Sequence, residues 1–368
     1  MSRLSQGLLA AVGVVLAAGP LAAQSAQVGA GVLFQSYSFD DPSAASVESI
    51  TVMAIPFAGT AWLGERVSLG IAGTWADGRL EDPDRGELSI QGLTDTQVTL
   101  TVSGRSGATS VSAVALLPTG VETQTLSESR VAGAVASELL PFAISNWGTG
   151  GGVGLSASSA HVVGPLGVGL SASYLVRREY SPLDAEQFAY RPGDVLRLVA
   201  AVDGTIATGT KGTLRVSLFR HRDDLADDAN LFRAGDRFEV LGSIGFPLGA
   251  QSTGLVYGIF HSRDEGTYLS SDGTLSSQDL ILAGGGMRSR VGRAILQPRI
   301  EARLFRRDDG VEQGYDLGVG LDVELPVGTA VMVPSVRAHI GNLEVRESVE
   351  TAFTGLEFGL ALRFGGAG

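Results

Sequence analysis

Apolar and polar residues alternate along most of this chain with a period of two. Between residues 293 and 306 the positions Leu296, Pro298, Ile300, Ala302 and Leu304 are uncharged, and Gln297, Arg299, Glu301 and Arg303 fall between them. Between 314 and 325, Leu317, Val319, Leu321, Val323 and Leu325 stand against Asp316, Asp322 and Glu324. Leu196, Leu198, Ala200 and Val202 oppose Arg197 and Asp203; Leu214, Val216 and Leu218 oppose Arg215 and Ser217; Phe238, Val240 and Ile244 oppose Arg237 and Glu239. At the end of the chain Leu356, Phe358, Leu360, Leu362 and Phe364 alternate with Glu357, Gly359, Ala361 and Arg363. Over these six stretches thirteen charges fall on one face and none on the other. Successive side chains of a strand point to opposite faces, so each stretch predicts a strand with one apolar face.

Sixteen stretches of this kind are found, at 28–38, 48–58, 66–76, 95–104, 109–117, 151–161, 166–177, 193–207, 212–222, 235–246, 252–263, 278–290, 293–306, 314–325, 329–341 and 351–364. Their lengths suit tilted membrane strands, which need about 9–11 residues. Tight turns such as Gly104 to Gly107, Gly164-Pro165, Val291-Gly292 and Pro326 to Gly328 alternate with longer polar segments, Asp40 to Val47, Asp77 to Thr94, Arg178 to Pro192, Asp223 to Ala234 and Arg263 to Ser277. Short turns on one side and long loops on the other are the pattern of outer-membrane barrels. The fold class predicted is all-β: a closed antiparallel transmembrane β-barrel of sixteen strands, or fourteen if weak stretches are loop, with short periplasmic turns and long extracellular loops. A charge facing lipid at mid-depth costs ~2–4 kcal/mol whereas a watery lumen accepts it. A soluble sandwich alternates too; the two ends of the chain and the loop asymmetry favour the barrel. Pro298 and Pro334 fall within predicted strands and, lacking a ladder donor, predict bulges.

Composition agrees. The 368 residues include 51 Gly, no Cys and only 18% charged residues. Mean hydropathy is nonetheless slightly positive. Beyond the N-terminus no apolar run reaches the ~18 residues of a membrane helix; the best, Val131 to Ile144, is broken by Glu138 and Pro141. Residues 1–23 read as a signal peptide, with Arg3 in its basic region, Leu8 to Ala18 as its apolar core and Leu21-Ala22-Ala23 before the cut, or a cut after Ser25. Residues 24–368 are then the barrel, exported to the outer membrane of a Gram-negative bacterium. The absence of Cys excludes disulfides, thiol catalysis and Cys-based metal sites.

The final strand resembles the terminal signal of bacterial outer-membrane proteins, which implies recognition by the barrel-assembly machinery; four residues, Gly365 to Gly368, follow its last Phe. The longest break, Pro118 to Gly150, holds a helix-like stretch, Leu126 to Leu140, introduced by Ser127 with Arg130 three residues on, so no capping box is predicted. In outline the chain is similar to the sixteen-stranded general porins, whose corresponding loop folds into the channel and sets acidic groups against arginines. That resemblance implies a constriction carrying Glu122, Glu128, Glu138 and Trp147, facing a lumen lined by Arg197, Asp203, Arg215, Arg237, Glu239, Arg299, Glu301, Arg303, Asp322, Glu324 and Arg337. An external flap is the alternative place for this loop. Leu93-Thr94-Asp95 and Leu116-Leu117-Pro118-Thr119-Gly120 also resemble the meta-pathway phenol-degradation channels, which implies passage of small aromatic compounds. The Asn-Pro-Ala motif of the related fatty-acid channels is absent.

The function predicted is a passive channel for small solutes, embedded in outer-membrane lipid and lipopolysaccharide. Its rivals are a narrower channel for hydrophobic compounds, a hydrolase at the barrel rim, and a structural surface protein. The hydrolase would need one of His161, His221, His261 or His339 beside a Ser or Asp, and none carries a recognisable motif. Gly284 to Gly286 lies mid-strand and is not a phosphate loop; Asp223, Asp224, Asp227 and Asp228 lack calcium-loop spacing. No metal or cofactor is predicted, and the net charge of −12 argues against nucleic acid.

Overall fold

The computed structural model describes residues 25–365 apart from 186–187, 270, 272, 309–312 and 347–348. The predicted signal peptide, 1–23, lies outside the described residues. In chain order the strands are β1 (Ser25–Phe39), β2 (Ser49–Trp62), β3 (Val67–Asp82), β4 (Gly86–Leu93), β5 (Thr96–Ser103), β6 (Thr109–Leu117), β7 (Gly152–Val163), β8 (Leu166–Arg177), β9 (Tyr190–Arg191), β10 (Val195–Ala207) and β11 (Thr210–His221). They continue with β12 (Asp223–Ala226), β13 (Ala229–Arg233), β14 (Arg237–Gly249), β15 (Ser252–Arg263), β16 (Gly266–Tyr268), β17 (Thr274–Leu275), β18 (Gln278–Val291), β19 (Ala294–Arg307), β20 (Gly314–Val327), β21 (Ala330–Arg346) and β22 (Val349–Phe364). Two helices, α1 (Pro42–Ala45) and α2 (Leu126–Val135), interrupt them.

Seventeen strands form one antiparallel sheet, and β9, β12, β13, β16 and β17 a small second one. The large sheet closes on itself: β1 pairs with β22 from Val28↔Phe364 to Phe39↔Phe353. β3 pairs with β4 over Trp75 to Asp82 and with β5 over Val67 to Ala72, so β4 and β5 share one place in the wall. The result is a closed sixteen-strand barrel with one extra strand. Closure removes the open edges that lipid could not satisfy. The short turns close on glycines in the left-handed region, Gly107, Gly164, Gly209, Gly292 and Gly328 among them, where a Cβ would be strained.

The two faces of the wall differ as the alternation requires. Leu317, Val319, Leu321, Phe358, Leu360 and Leu362 are all exposed, an apolar belt on the outside. Asp316 and Glu357, one residue from members of that belt, are buried on the other face. An arginine at Val319, in the middle of β20, should therefore destabilise the barrel by ~2–4 kcal/mol. The same residue in place of Thr213, on the inner face of β11, should cost less. Denaturant titration in lipid vesicles measures both, and equal costs would reverse the assigned faces.

Four details depart from the sequence reading. Asp77 to Thr94 is not a loop, because β3 runs on to Asp82 and returns as β4. Asp223 to Ala234 holds the β12–β13 hairpin, and Arg263 to Ser277 holds β16 and β17. Neither proline makes a bulge: Pro298 keeps register with Leu321 and Pro334 with Leu360, while pairs beside each are missing on one side only. A missing donor removes a rung without adding a residue. Finally, charge is not confined to one face, since Arg220 and Arg306 share the face of Leu218 and Leu304. Both stand at loop ends of strands, where they meet Asp236 at 3.0 Å and Asp279 at 3.1 Å.

Candidate functional site: the inner wall and the long loop

Charged side chains on the inner face pair with opposite charges, across strands and, for Arg303 with Glu301, along one strand. Arg215 meets Glu239 at 3.1 Å, Arg299 meets Asp322 at 2.7 Å, Arg303 meets Glu301 at 3.3 Å, Arg288 meets Glu324 at 2.9 Å and Arg337 meets Glu357 at 2.8 Å. Tyr257 donates to Glu301 at 2.8 Å, and the ring of His339 contacts Asp316 at 3.0 Å. Much of the wall is thus internally neutralised. Two of the expected lumen arginines stand apart. Arg197 lies over the Phe219 ring, 4.8 Å from its centre. Arg237 makes no ion pair among the described residues. Asp203 likewise has no ion pair among them, and its carboxylate lies beside Gly167.

The loop from Pro118 to Gly150 packs on the inner face of β1 to β4. Val131, Val135, Leu139, Leu140, Ile144 and Trp147 are buried in one cluster with Tyr37, Phe39, Ile50, Val52, Ala76, Leu80, Ile90, Phe305 and Phe353. Phe142 meets Tyr37 edge-on at 5.2 Å. Burial of this much apolar surface is what fixes an otherwise polar loop. Polar latches set its register. Trp147 Nε1 donates to the Ala76 carbonyl at 3.2 Å, and Arg130 bonds to Asp82 at 2.8 Å. Gln35 Nε2 donates to the Pro141 carbonyl at 2.7 Å and to Glu357 at 2.9 Å, and Gln35 Oε1 accepts from Ala143 N at 2.7 Å.

Several site expectations need correction here. Trp147 is fully buried and so anchors the loop rather than lining an opening. Glu122 pairs with Arg178 of the next long loop at 3.1 Å. Glu128 is held in a capping box: Thr125 N donates to its carboxylate at 2.8 Å, and its own N–H donates to Thr125 Oγ1 at 3.2 Å. The helix therefore starts one step before Ser127, where the predicted cap stood, and it ends at Val135, short of Leu140. Glu138 has no ion pair among the described residues. Among the described residues none of the three loop carboxylates pairs with a wall arginine.

No family model matches the chain, and no curated protein matches it. Among solved structures, the high-pH form of Pseudomonas putida OprB is 10% identical to it, with 93% of this chain and 94% of that one covered and a TM-score of 0.52. Outer-membrane expressed OmpT of Vibrio cholerae is 10% identical over 93% of this chain and 97% of its own, with a TM-score of 0.43. A mutant of the Rh. blastica porin is 12% identical over 93% and 100%, with a TM-score of 0.37. The chain has the fold of the outer-membrane porins.

The porin fold and the apolar belt together fit a barrel set in a lipid bilayer. Hydrogen bonds give a use to the motif formed by Leu93 to Asp95 and Leu116 to Gly120. Asp95 accepts from Gly120 N at 3.3 Å and from both N and Oγ1 of Thr149 at 2.8 Å. Thr119 Oγ1 donates to the Thr94 carbonyl at 3.0 Å. The motif ties the two ends of the long loop to the wall, a role that needs no aromatic solute. Asp95 and Gln35 were not among the expected site residues. The signal for Gln35 was present, since it is a polar residue on the same face as Leu33, Tyr37 and Phe39.

Proposed function

We propose that this porin-fold barrel is a passive channel for small solutes, narrowed by the loop from Pro118 to Gly150. The observation that carries the reading is the one-sided berth of that loop. Its apolar residues cover β1 to β4 and meet Phe305 of β19 and Phe353 of β22, while ion pairs such as Arg215 with Glu239 and Arg299 with Asp322 line the inner face elsewhere. A bore with a charged inner face holds water, and solutes cross it by diffusion, selected by width and by wall charge. A rim hydrolase finds less support. Ser159 and His161 bond at 2.8 Å, but they lie on the outer face, and His339 with Asp316 has no serine bonded to it. We further propose that β22, ending at Phe364, presents the barrel to its assembly machinery, and that lipopolysaccharide surrounds the loop end.

Purified protein added to planar lipid bilayers should produce stepwise, ohmic conductance. Repeated insertion of folded, heat-modifiable barrel without any conductance step would reject the channel and favour a structural surface protein.

A further inference from the structure

One row of Cα partners runs across the inner face at the loop end of the wall: Arg197, Phe219, Arg237, Arg263, Gln278 and Arg307, on β10, β11, β14, β15, β18 and β19. Neighbouring strands lie ~4.8 Å apart, so four guanidinium groups share an arc of about 25 Å. The row contains no carboxylate. Arg263 and Arg307 are engaged, Arg263 with Gln278 at 2.7 Å. Of the carboxylates flanking Arg237 in the chain, Glu239 meets Arg215 at 3.1 Å and Asp236 meets Arg220 on the outer face at 3.0 Å.

Two of the four cations carry the argument. Arg197 is placed by the Phe219 ring and not by an anion. Its Nε and that of Arg237 are buried without a hydrogen-bond partner. A buried donor left unsatisfied costs about 1–3 kcal/mol. Among the described residues no carboxylate of the long loop pairs with these arginines: Glu122 and Glu128 are held at Arg178 and Thr125, and Glu138 makes no ion pair.

We propose that this row binds small organic carboxylates in transit. The carboxylate takes the forked N–H donors of Arg197 and Arg237, and its apolar body rests on the Phe219 ring between them. Cations gathered on one low-dielectric wall also concentrate anions locally, so the bore prefers anions, in place of the balanced charge expected from the sequence. This inference rests on the channel reading.

The test uses the whole protein in planar bilayers, first in a potassium chloride gradient and then with sodium benzoate added. Reversal potentials should show chloride preferred over potassium by ~threefold or more. Benzoate should reduce single-channel current saturably. Arg197→Gln combined with Arg237→Gln should abolish both effects, and Phe219→Leu should keep the chloride preference but weaken the benzoate block several-fold. Potassium preference in the unaltered protein, or a benzoate block unchanged in the double variant, would overturn the proposal while leaving the channel intact. Absence of any conductance would instead remove the channel reading beneath it. Should the double variant not fold, the ion preference of the unaltered protein and the Phe219→Leu result decide the matter by themselves.

Discussion

Removal of Glu122 to Trp147, with the chain rejoined by a short Gly-Ser link, should raise single-channel conductance roughly twofold or more. The deleted segment contributes α2 and the apolar side chains that stand on β1 to β4 inside the barrel, so its loss widens the bore without touching the ladder. Val121 and Gly148 to Gly150 stay, which keeps Asp95 its contacts with Gly120 and Thr149. Tyr37, Phe39, Ile50 and Val52 become wetted, at a cost of ~25 cal/mol per Å² of apolar area, but β1 still pairs with β2 and β22 along its length. The barrel should therefore remain heat-resistant on gels. Unchanged conductance in a deletion that still folds would show that the loop does not restrict passage.

Trp147→Ala should loosen the same loop while leaving it in place. The ring is fully buried, and Gly78 receives it so closely that a Cβ there would come within 2.6 Å of the indole. Loss of a buried tryptophan costs about 3–5 kcal/mol, here drawn from loop docking and not from the strand ladder. The expected result is protease cleavage within 118–150 in a barrel that still runs as folded, with flickering conductance. Gly78→Ala attacks the same fit from the other side, pushing the ring out of its seat, and should give the same cleavage pattern. Resistance of both variants equal to that of the unaltered protein would mean that the loop is held by something other than this contact.

Strands and their faces were legible because lipid and lumen impose opposite demands on neighbouring residues, and Leu317 beside Asp316 records that demand directly. Legibility failed where the demand relaxes. On β3 and β4 the outward positions are Asp77, Arg79, Glu81 and Glu87, and these charges made Asp77 to Thr94 look like a loop. Inward Leu80, Leu88 and Ile90 keep the period, but a charged outer face is forbidden only at membrane depth. The site was less legible for a different reason. The partners of Glu122 and Glu128 are Arg178 and Thr125, and nothing in the spacing says that a loop carboxylate is taken up locally or by a second loop before it can face the wall. Gln35 and Asp95 act through residues about a hundred and about fifty positions away in the chain. Polarity was visible at both, but the partner was not.

The berth of the long loop straddles the seam where the chain's first and last strands meet. Tyr37 and Phe39 come from β1 and Phe353 from β22, and the Gln35 amide that holds Pro141 also bonds Glu357, 322 residues further along. Phe305 and Phe353 do not join this surface until the two ends meet, and joining ends so distant is the entropically costly step of the fold. Order where Pro141 and Gln35 meet Glu357 at the seam is thus a mark of the last event of assembly. The indole of Trp147, fully dry against Ala76 and Gly78 of β3, is a built-in fluorophore for the docking of the loop on the first strands, so its timing can be compared with that of closure.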